Sequence, residues 1–214
     1  MIAGLTTTGI VLAAGRGTRM GGPKATLVFG GQPLVVQHVE QLLDVGCDAV
    51  IVVVPTASRR AVEAAIEGHD RARVVGADTT SAAATLAEGL RHGGVAFDAS
   101  PSSDAFVVAP VDMRPARAAT FDALARSLAT ADAPGAATPT RAGRSGHPVF
   151  VRASVVHDFD GTRTLRDVVR DPLTRRVRVE VADPHVVDDL DTPADVGGRA
   201  SFFGISSRLA QTRA

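Results

Sequence analysis

In Leu12-Ala13-Ala14-Gly15-Arg16-Gly17-Thr18-Arg19-Met20-Gly21-Gly22-Pro23-Lys24, the Gly-rich segment Gly15 to Lys24 follows the apolar run Gly9 to Ala13. A glycine loop after a buried strand exposes backbone N–H groups at the carboxyl edge of a sheet, where open α/β proteins bind phosphate. Arg16, Arg19 and Lys24 add the positive charge that a triphosphate requires. Two common phosphate motifs do not fit. A Walker loop needs Gly-Lys-Ser/Thr, whereas Gly22-Pro23-Lys24-Ala25 has no hydroxyl for magnesium. A dinucleotide fingerprint needs glycine at position 20, where Met20 stands. Of the 23 basic residues every one but Lys24 is arginine. The lone lysine marks a place where a compact ammonium on a flexible stem suits better than a planar fork.

Carboxylates come next. A hard divalent ion such as Mg²⁺ takes one or two carboxylates together with substrate phosphates and water. Asp112, at the end of the run Ala105 to Val111, and Asp191, within Asp188 to Asp195, form the natural pair on one sheet edge, with Asp189 as the alternative to Asp191. Asp112 also suits a turn or helix N-cap, and Asp191 an Asx-turn before Thr192-Pro193. His147, between Gly146 and Pro148, reads equally as a substrate contact and as a structural histidine bonded to backbone. His38, His69, His92, His157 and His185 lack metal-ligand spacing and read as surface residues. Thr7, Thr8 and the Arg175-Arg176 pair read as solvated.

The elements that must position these residues alternate between short apolar runs and stretches of helical period, the pattern of βα units around a mostly parallel sheet. Strands are expected at Gly9 to Ala13, Ala49 to Val54, Arg73 to Gly76, Ala105 to Val111, Ala136 to Thr140, Pro148 to Arg152 and Val177 to Val181, the last alternating inside and outside. Helices are expected from Pro33 to a stop at Gly46, from a Ser58 cap to Gly68, over Ser81 to Arg91, Ala116 to Ala131 and Leu165 to Arg170. A short helical turn is expected after Asp188 to Asp195. Residues 1–198 read as one domain, and 199–214 as a C-terminal tail with little periodicity, expected to be partly disordered.

Composition narrows the functional classes. With 214 residues the chain is long enough to bury a core without disulfides or a structural metal. Lys plus Arg and Asp plus Glu each number 23, and Trp and Tyr are absent, which argues against nucleic acid as a partner. Cys47, the single cysteine, lies among apolar residues and reads as a buried structural thiol. No apolar run approaches the ~20 residues that span a bilayer, and Met1 to Thr8 lacks a signal-peptide pattern. The expected location is cytoplasmic, with no membrane partner.

LAAG followed by x-G-T-R-M-G and P-K resembles the signature of the MobA-like nucleotidyltransferases. Gly143-Arg144-Ser145-Gly146-His147-Pro148-Val149, Gly161-Thr162-Arg163 with Leu165, and Asp189-Leu190-Asp191-Thr192-Pro193-Ala194-Asp195 are similar to segments of their molybdenum cofactor cytidylyltransferase branch. The resemblance runs from residue 9 to about 198. It implies a three-layer αβα, Rossmann-like fold of the nucleotide-diphospho-sugar transferase type. It also implies that Leu12, Ala13, Ala14, Gly15, Gly17, Thr18, Arg19 and Lys24 wrap a nucleoside triphosphate. Arg19 would contact phosphate, Lys24 would stabilise charge developing at the α-phosphate, and Asp112, with Asp191, would bind Mg²⁺.

Gly146 and His147 would contact the acceptor. Alanine at position 14 goes with cytidylyl donors in that family, so CTP is favoured, with a methyl group narrowing the base pocket against a purine. The implied reaction transfers CMP to a phosphorylated small-molecule acceptor, molybdopterin first, and releases pyrophosphate. A protein that delivers or receives the acceptor would be a further partner. Alternatives are a cytidylyltransferase of the methylerythritol-phosphate type, a dinucleotide-dependent oxidoreductase, and a nucleotide-binding module without catalysis. Two segments depart from the branch pattern, Ala77 to Leu86 and Arg114 within Asp112-Met113-Arg114-Pro115. Arg114 reads either as a phosphate ligand or as the mark of an altered acceptor.

Overall fold

In chain order the strands are β1 (Thr7–Leu12), β2 (Leu27–Phe29), β3 (Gln32–Pro33), β4 (Ala49–Val54), β5 (Ala72–Gly76), β6 (Ala105–Pro110), β7 (Ala136–Arg141), β8 (Arg144–Ser145), β9 (Val149–Arg152), β10 (Val177–Glu180) and β11 (Ser201–Phe202). The α-helices are α1 (Leu34–Asp44), α2 (Arg59–Ala65), α3 (Ala82–His92), α4 (Ala118–Leu128), α5 (Ala153–Val156) and α6 (Leu165–Arg170). The computed structural model describes every residue except 1, 3, 16, 95–103, 131, 198, 199 and 204–214. Arg16 and most of the expected tail therefore lie outside the described residues.

The main sheet has the order β10-β7-β9-β6-β1-β4-β5, with β8 attached to β7. β1 pairs in parallel with β4 and β6, β4 with β5, and β7 with β10, while β9 runs against both β6 and β7. This is a mixed, mostly parallel α/β sheet, as the alternation of short apolar runs and helical stretches implies. Its parallel strands place their carboxyl ends, and the loops that follow, along one edge, where β1 leads into the glycine loop and β6 into Asp112.

Alternation along the strands divides the interior in two. Val11, Val50, Val52 and Val107 pack on one side with Leu34, Val39 and Leu42 of α1 and Phe121, Leu124 and Leu128 of α4. Ile10, Phe106, Val108 and Val151 face the other side, against Leu86 and Leu90 of α3, Val156 of α5 and Val169 of α6. Each such side chain, fully buried, contributes about 1.5–3 kcal/mol relative to exposure.

Several expectations are corrected. Thr7 and Thr8 are buried rather than solvated, because β1 begins two residues before the apolar run and runs centrally between β4 and β6. Ser58 makes no side-chain cap; it is buried at the end of a 3-10 turn that leads into α2. β10 is an edge strand exposed on both faces apart from Val179, so the expected alternation is weak. Cys47 is fully buried, and burial pushes its thiol up to about 12, which suits an inert packing role.

A second, antiparallel sheet, β11-β2-β3, escaped the periodicity reading, since its strands have only two or three residues. Through it, Ser201 and Phe202 from the expected tail pair with Val28 and Leu27.

Candidate active site

β1 ends at Leu12, and Ala13 continues its line by donating its N–H to the Val53 carbonyl at 2.8 Å. The chain then folds back at Gly17, which has a φ of 58° and whose carbonyl accepts the N–H groups of Met20 and Gly22. A Cβ at Gly17 would lie 2.0 Å from the Gly22 carbonyl oxygen, so only glycine permits this closure. Thr18 opens the short turn Thr18–Met20 that carries Arg19, and Lys24 opens the next, Lys24–Thr26. Outside the loop, the Phe202 ring lies against Gly22, and Phe203 donates its N–H to the Thr26 carbonyl at 2.8 Å.

The loop meets the carboxylates at Lys24. Its ammonium donates to Asp191 Oδ1 at 2.6 Å and to Asp112 Oδ2 at 3.2 Å, with the lysine side chain 12% exposed. Arg19 stands 3.7 Å from the other oxygen of Asp191 and is itself largely exposed. The hydrogen bond from Lys24 holds the Asp191 carboxyl below the usual carboxylate range.

Backbone pairing explains how residues so distant in sequence meet. Met113 and Asp189 form an antiparallel bridge, and Leu190 donates its N–H to the Asp112 carbonyl at 2.6 Å. The Asp195 carboxylate receives the N–H groups of Asp191 and Thr192 at 3.0 and 2.7 Å, closing the turn that aims Asp191. Asp189 does not share the ammonium. Burial, with Asp112 and Asp191 nearby, raises its carboxyl pKa.

The segment after Asp112 is clamped from α1. His38 Nε2 lies 2.9 Å from the Met113 carbonyl, and Gln41 donates to the carbonyl of Ala116. His185 Nδ1 contacts the Pro115 carbonyl at 2.9 Å, and Asp183 accepts the Arg117 N–H at 2.6 Å. His38 is therefore buried rather than a surface residue. A signal for this was present: Leu34, His38 and Leu42 are spaced at i, i+4 and i+8, on one stripe of the helix. His185 is likewise half-buried and bonded, not a free surface histidine. Arg114 stacks its guanidinium 4.9 Å from the centre of the Phe29 ring, on the side of the small sheet.

A cleft of about 1220 Å³ opens beside Asp112 on the face of the sheet covered by α3 and α6. Leu12, Ala14 and Gly15 of the glycine loop, Asp112, and Gly146 with His147 all border it. Thr79 to Ala83, Thr85 and Leu86 of the atypical segment also line it, and Ser81 caps α3 by accepting the Ala84 N–H at 3.1 Å. Ala13 is buried in the core, while Gly17, Thr18, Arg19 and Lys24 stand outside the cleft lining and join it through the Lys24–Asp112 contact.

Gly146 donates to the Pro139 carbonyl, and a Cβ there would meet the Val186 carbonyl oxygen at 1.7 Å. Burial depresses the His147 imidazole pKa, and its Nδ1 is buried with no partner among the described residues. Arg175 is exposed, as expected, but Arg176 is half-buried and lines the cleft.

Two carboxylates that reach one ammonium can equally converge on one divalent cation, which needs few protein ligands when phosphates supply the rest. Among the described residues no group of three or more His, Cys, Asp or Glu side chains converges as a self-sufficient metal site. The donor set thus fits a metal that arrives with a phosphate ligand.

The fold, with a basic glycine loop facing a strand-end aspartate, defines a nucleotidyltransferase. The sequence model of the MobA-like NTP transferase domain matches residues 9–179, and the chain belongs to that family. Solved structures agree on the fold. An Rv0371c homologue from Mycobacterium sp. strain JC1 is similar at 24% identity, covering 91% of this chain and 94% of that one, with a TM-score of 0.73. A nucleotidyl transferase from Methanothermobacter thermautotroptrophicus is 23% identical over 89% of this chain and 94% of its own, with a TM-score of 0.71. 4-Diphosphocytidyl-2C-methyl-D-erythritol synthase from Anaerococcus prevotii is 14% identical over 91% and 94%, with a TM-score of 0.72. Rv0371c of Mycobacterium tuberculosis H37Rv, 24% identical over 87% and 95% with a TM-score of 0.65, was solved as a manganese complex. No curated protein matches the sequence. Among the described residues no helix is long and apolar enough to cross a membrane.

Proposed function

We propose that the chain transfers CMP from CTP to a phosphorylated small-molecule acceptor and releases pyrophosphate, with Mg²⁺ as the metal. The observation that carries this reading is the Lys24 ammonium shared between Asp112 and Asp191 at the mouth of the glycine loop. Nucleotidyl transfer asks a protein mainly to position groups and to stabilise charge. Asp112 and Asp191 would hold the metal. When bound, the metal neutralises phosphate charge and orients the triphosphate for in-line attack. Lys24, released from its two carboxylates, reaches the α-phosphate, and Arg19 binds the outer phosphates from its exposed turn. Backbone N–H groups of Ala14, Gly15 and Thr18 cradle the rest.

Ala14 borders the cleft with a methyl group, which favours a pyrimidine base. Gly146 and His147 line the acceptor side, and the neutral imidazole offers a hydrogen bond rather than a charge. The molybdopterin acceptor rests on the likeness of segments 143–149, 161–165 and 189–195 to the molybdenum cofactor branch; two of the three contribute cleft residues. A cytoplasmic protein that passes the acceptor on is part of the same reading.

Thermal unfolding with Mg²⁺ and CTP, GTP, ATP or UTP, with NAD and NADP as controls, tests the reading. CTP at 100 times its Kd should stabilise by ~2.7 kcal/mol, a shift of roughly 5–10 °C for a chain of this size, and EDTA should abolish it. A shift with a nicotinamide dinucleotide alone would overturn the assignment.

A further inference from the structure

The cleft does not end at the catalytic carboxylate. Beyond His147 it runs over β7 and β10 toward α6, where Arg166, Arg170, Arg176 and Arg178 line it. Such a concentration of one charge is unexpected in a chain with no net charge. Asp167 and Glu180 feel the charge of Arg166 and Arg178, yet their oxygens are bonded to other groups and make no close ion pair with the four. Asp167 accepts the hydroxyl and N–H of Thr164 at 2.6 and 3.1 Å. Glu180 accepts the Thr140 hydroxyl at 2.7 Å and the Ala142 N–H at 2.9 Å. Asp171 faces Arg163 at 3.5 Å and accepts the Leu173 N–H.

Among the described residues none of the four arginines forms an ion pair, although Arg178 donates to the Gly143 carbonyl at 2.8 Å. Burial, and the neighbouring Arg178 and Arg170, lower the pKa of the Arg176 guanidinium, as expected of cations crowded without an anion.

A second observation points to a ligand. Thr138, only 3% exposed, lines the same cleft, and its Oγ1 has no hydrogen-bond partner. His147 Nδ1, closer to Asp112, is buried and unpartnered in the same way. Buried polar atoms are rarely left so unless something else completes them. These two line the cleft between the strand-end aspartate and the arginines, where the body of a bound molecule would lie.

We propose that the acceptor carries a second anionic group, a phosphate or carboxylate distal to the phosphate that attacks the nucleotide, and that Arg166, Arg170, Arg176 and Arg178 bind it. Its polar body hydrogen-bonds to Thr138 and His147. This rests on the nucleotidyltransferase reading of the same cleft and narrows the acceptor class to small molecules that carry two separate anionic groups. Arg170 and Arg178 sit at exposed positions and present forked donors that match such an anion.

Inorganic phosphate, titrated calorimetrically at low salt into the full chain, into Arg170→Gln/Arg176→Gln and into Lys24→Gln, tests this. The wild type and Lys24→Gln should bind a phosphate that the arginine variant binds at least tenfold more weakly, with an unchanged unfolding temperature confirming that the variant is folded. Equal phosphate affinity in the arginine variant and the wild type, or no phosphate binding by the wild type, would overturn the proposal. The nucleotide reading is scored separately by stabilisation with Mg²⁺ and CTP, which the arginine variant should keep in full. Loss of phosphate binding with nucleotide stabilisation absent throughout would leave the anion site standing and sink only the nucleotidyl reading.

Discussion

The glycine loop beside the cleft and the cleft's α6 end treat positive charge in opposite ways. At the glycine loop, the Lys24 ammonium is nearly enclosed and held by two carboxylates, and Arg19 leans on one of them. At the α6 end, four arginines share the cleft wall with no ion-pair partner among the described residues. A neutralised cluster must reorganise when ligand arrives, which suits a group that acts during the reaction. A cluster without close ion pairs is ready to attract an anion, which suits recognition. The lesson is that net charge, zero here, conceals a division of labour visible only once the fold brings distant residues together.

The sharpest way to break this comparison is at Lys24. Lys24→Ala should lower turnover, read as pyrophosphate release, by ~10²-fold or more, the effect of removing one preorganised charge at a transition state. Near-normal kcat would move the catalytic charge elsewhere. Asp112→Ala should next remove the EDTA-sensitive stabilisation by CTP, the shift of roughly 5–10 °C expected above, while far-ultraviolet dichroism stays native. A retained shift with the same metal dependence would place the metal on other residues.

Two glycines sharpen the contrast between the two regions. At Gly146 an added methyl meets backbone inside the fold, so Gly146→Ala should cost about 1–3 kcal/mol of stability, seen in denaturant unfolding. At Gly17 the clash lies within a surface loop. Gly17→Ala should weaken CTP binding well before it lowers the midpoint of unfolding, and the reverse order would show that the loop is part of the global core.

Much of the fold was legible because buried parallel strands announce themselves as apolar runs. Ala49–Val54 and Leu165–Arg170 fall where periodicity places them, and Pro33 and Gly46 bracket α1. The glycine loop and Asp112 were legible from residue type and order. What local pattern could not carry was pairing at long range. Nothing around Lys24 says that it reaches Asp112, 88 positions on, and Asp191, 167 positions on, or that Asp191 and not Asp189 shares its ammonium. The arginines of α6 and β10 are scattered in sequence and converge only through sheet order. β2, β3 and β11 are too short to leave a periodic trace.

His38 is the instructive miss, since its residue type spoke for the surface while its place on the apolar stripe spoke for burial. It also gives the smallest expected effect. Burial lowers its imidazole pKa to about 4, below the ordinary 6.5, so the unfolded chain binds more protons between those values. Its contribution to stability is complete above pH 6.5 and lost as pH falls toward 4. Between pH 6.5 and 5 the loss should be about 1–2 kcal/mol, measured as the difference in pH dependence between wild type and His38→Gln, which keeps a donor for Met113. Parallel pH profiles would show that this ring is not held neutral.

The contact of Phe202 with Gly22 has a consequence for the order in which the molecule is made. Synthesis proceeds from the amino end, and β1, β4, β5 and β6 can pair as soon as residue 110 has emerged. The loop that precedes β2 must wait. Its lysine gains its second carboxylate only with residue 191, and its outer wall is supplied by residues 201–203. The glycine loop is thus completed by segments made well after the central strands, and a copy truncated before residue 191 would keep those strands yet lack the loop's second carboxylate and outer wall.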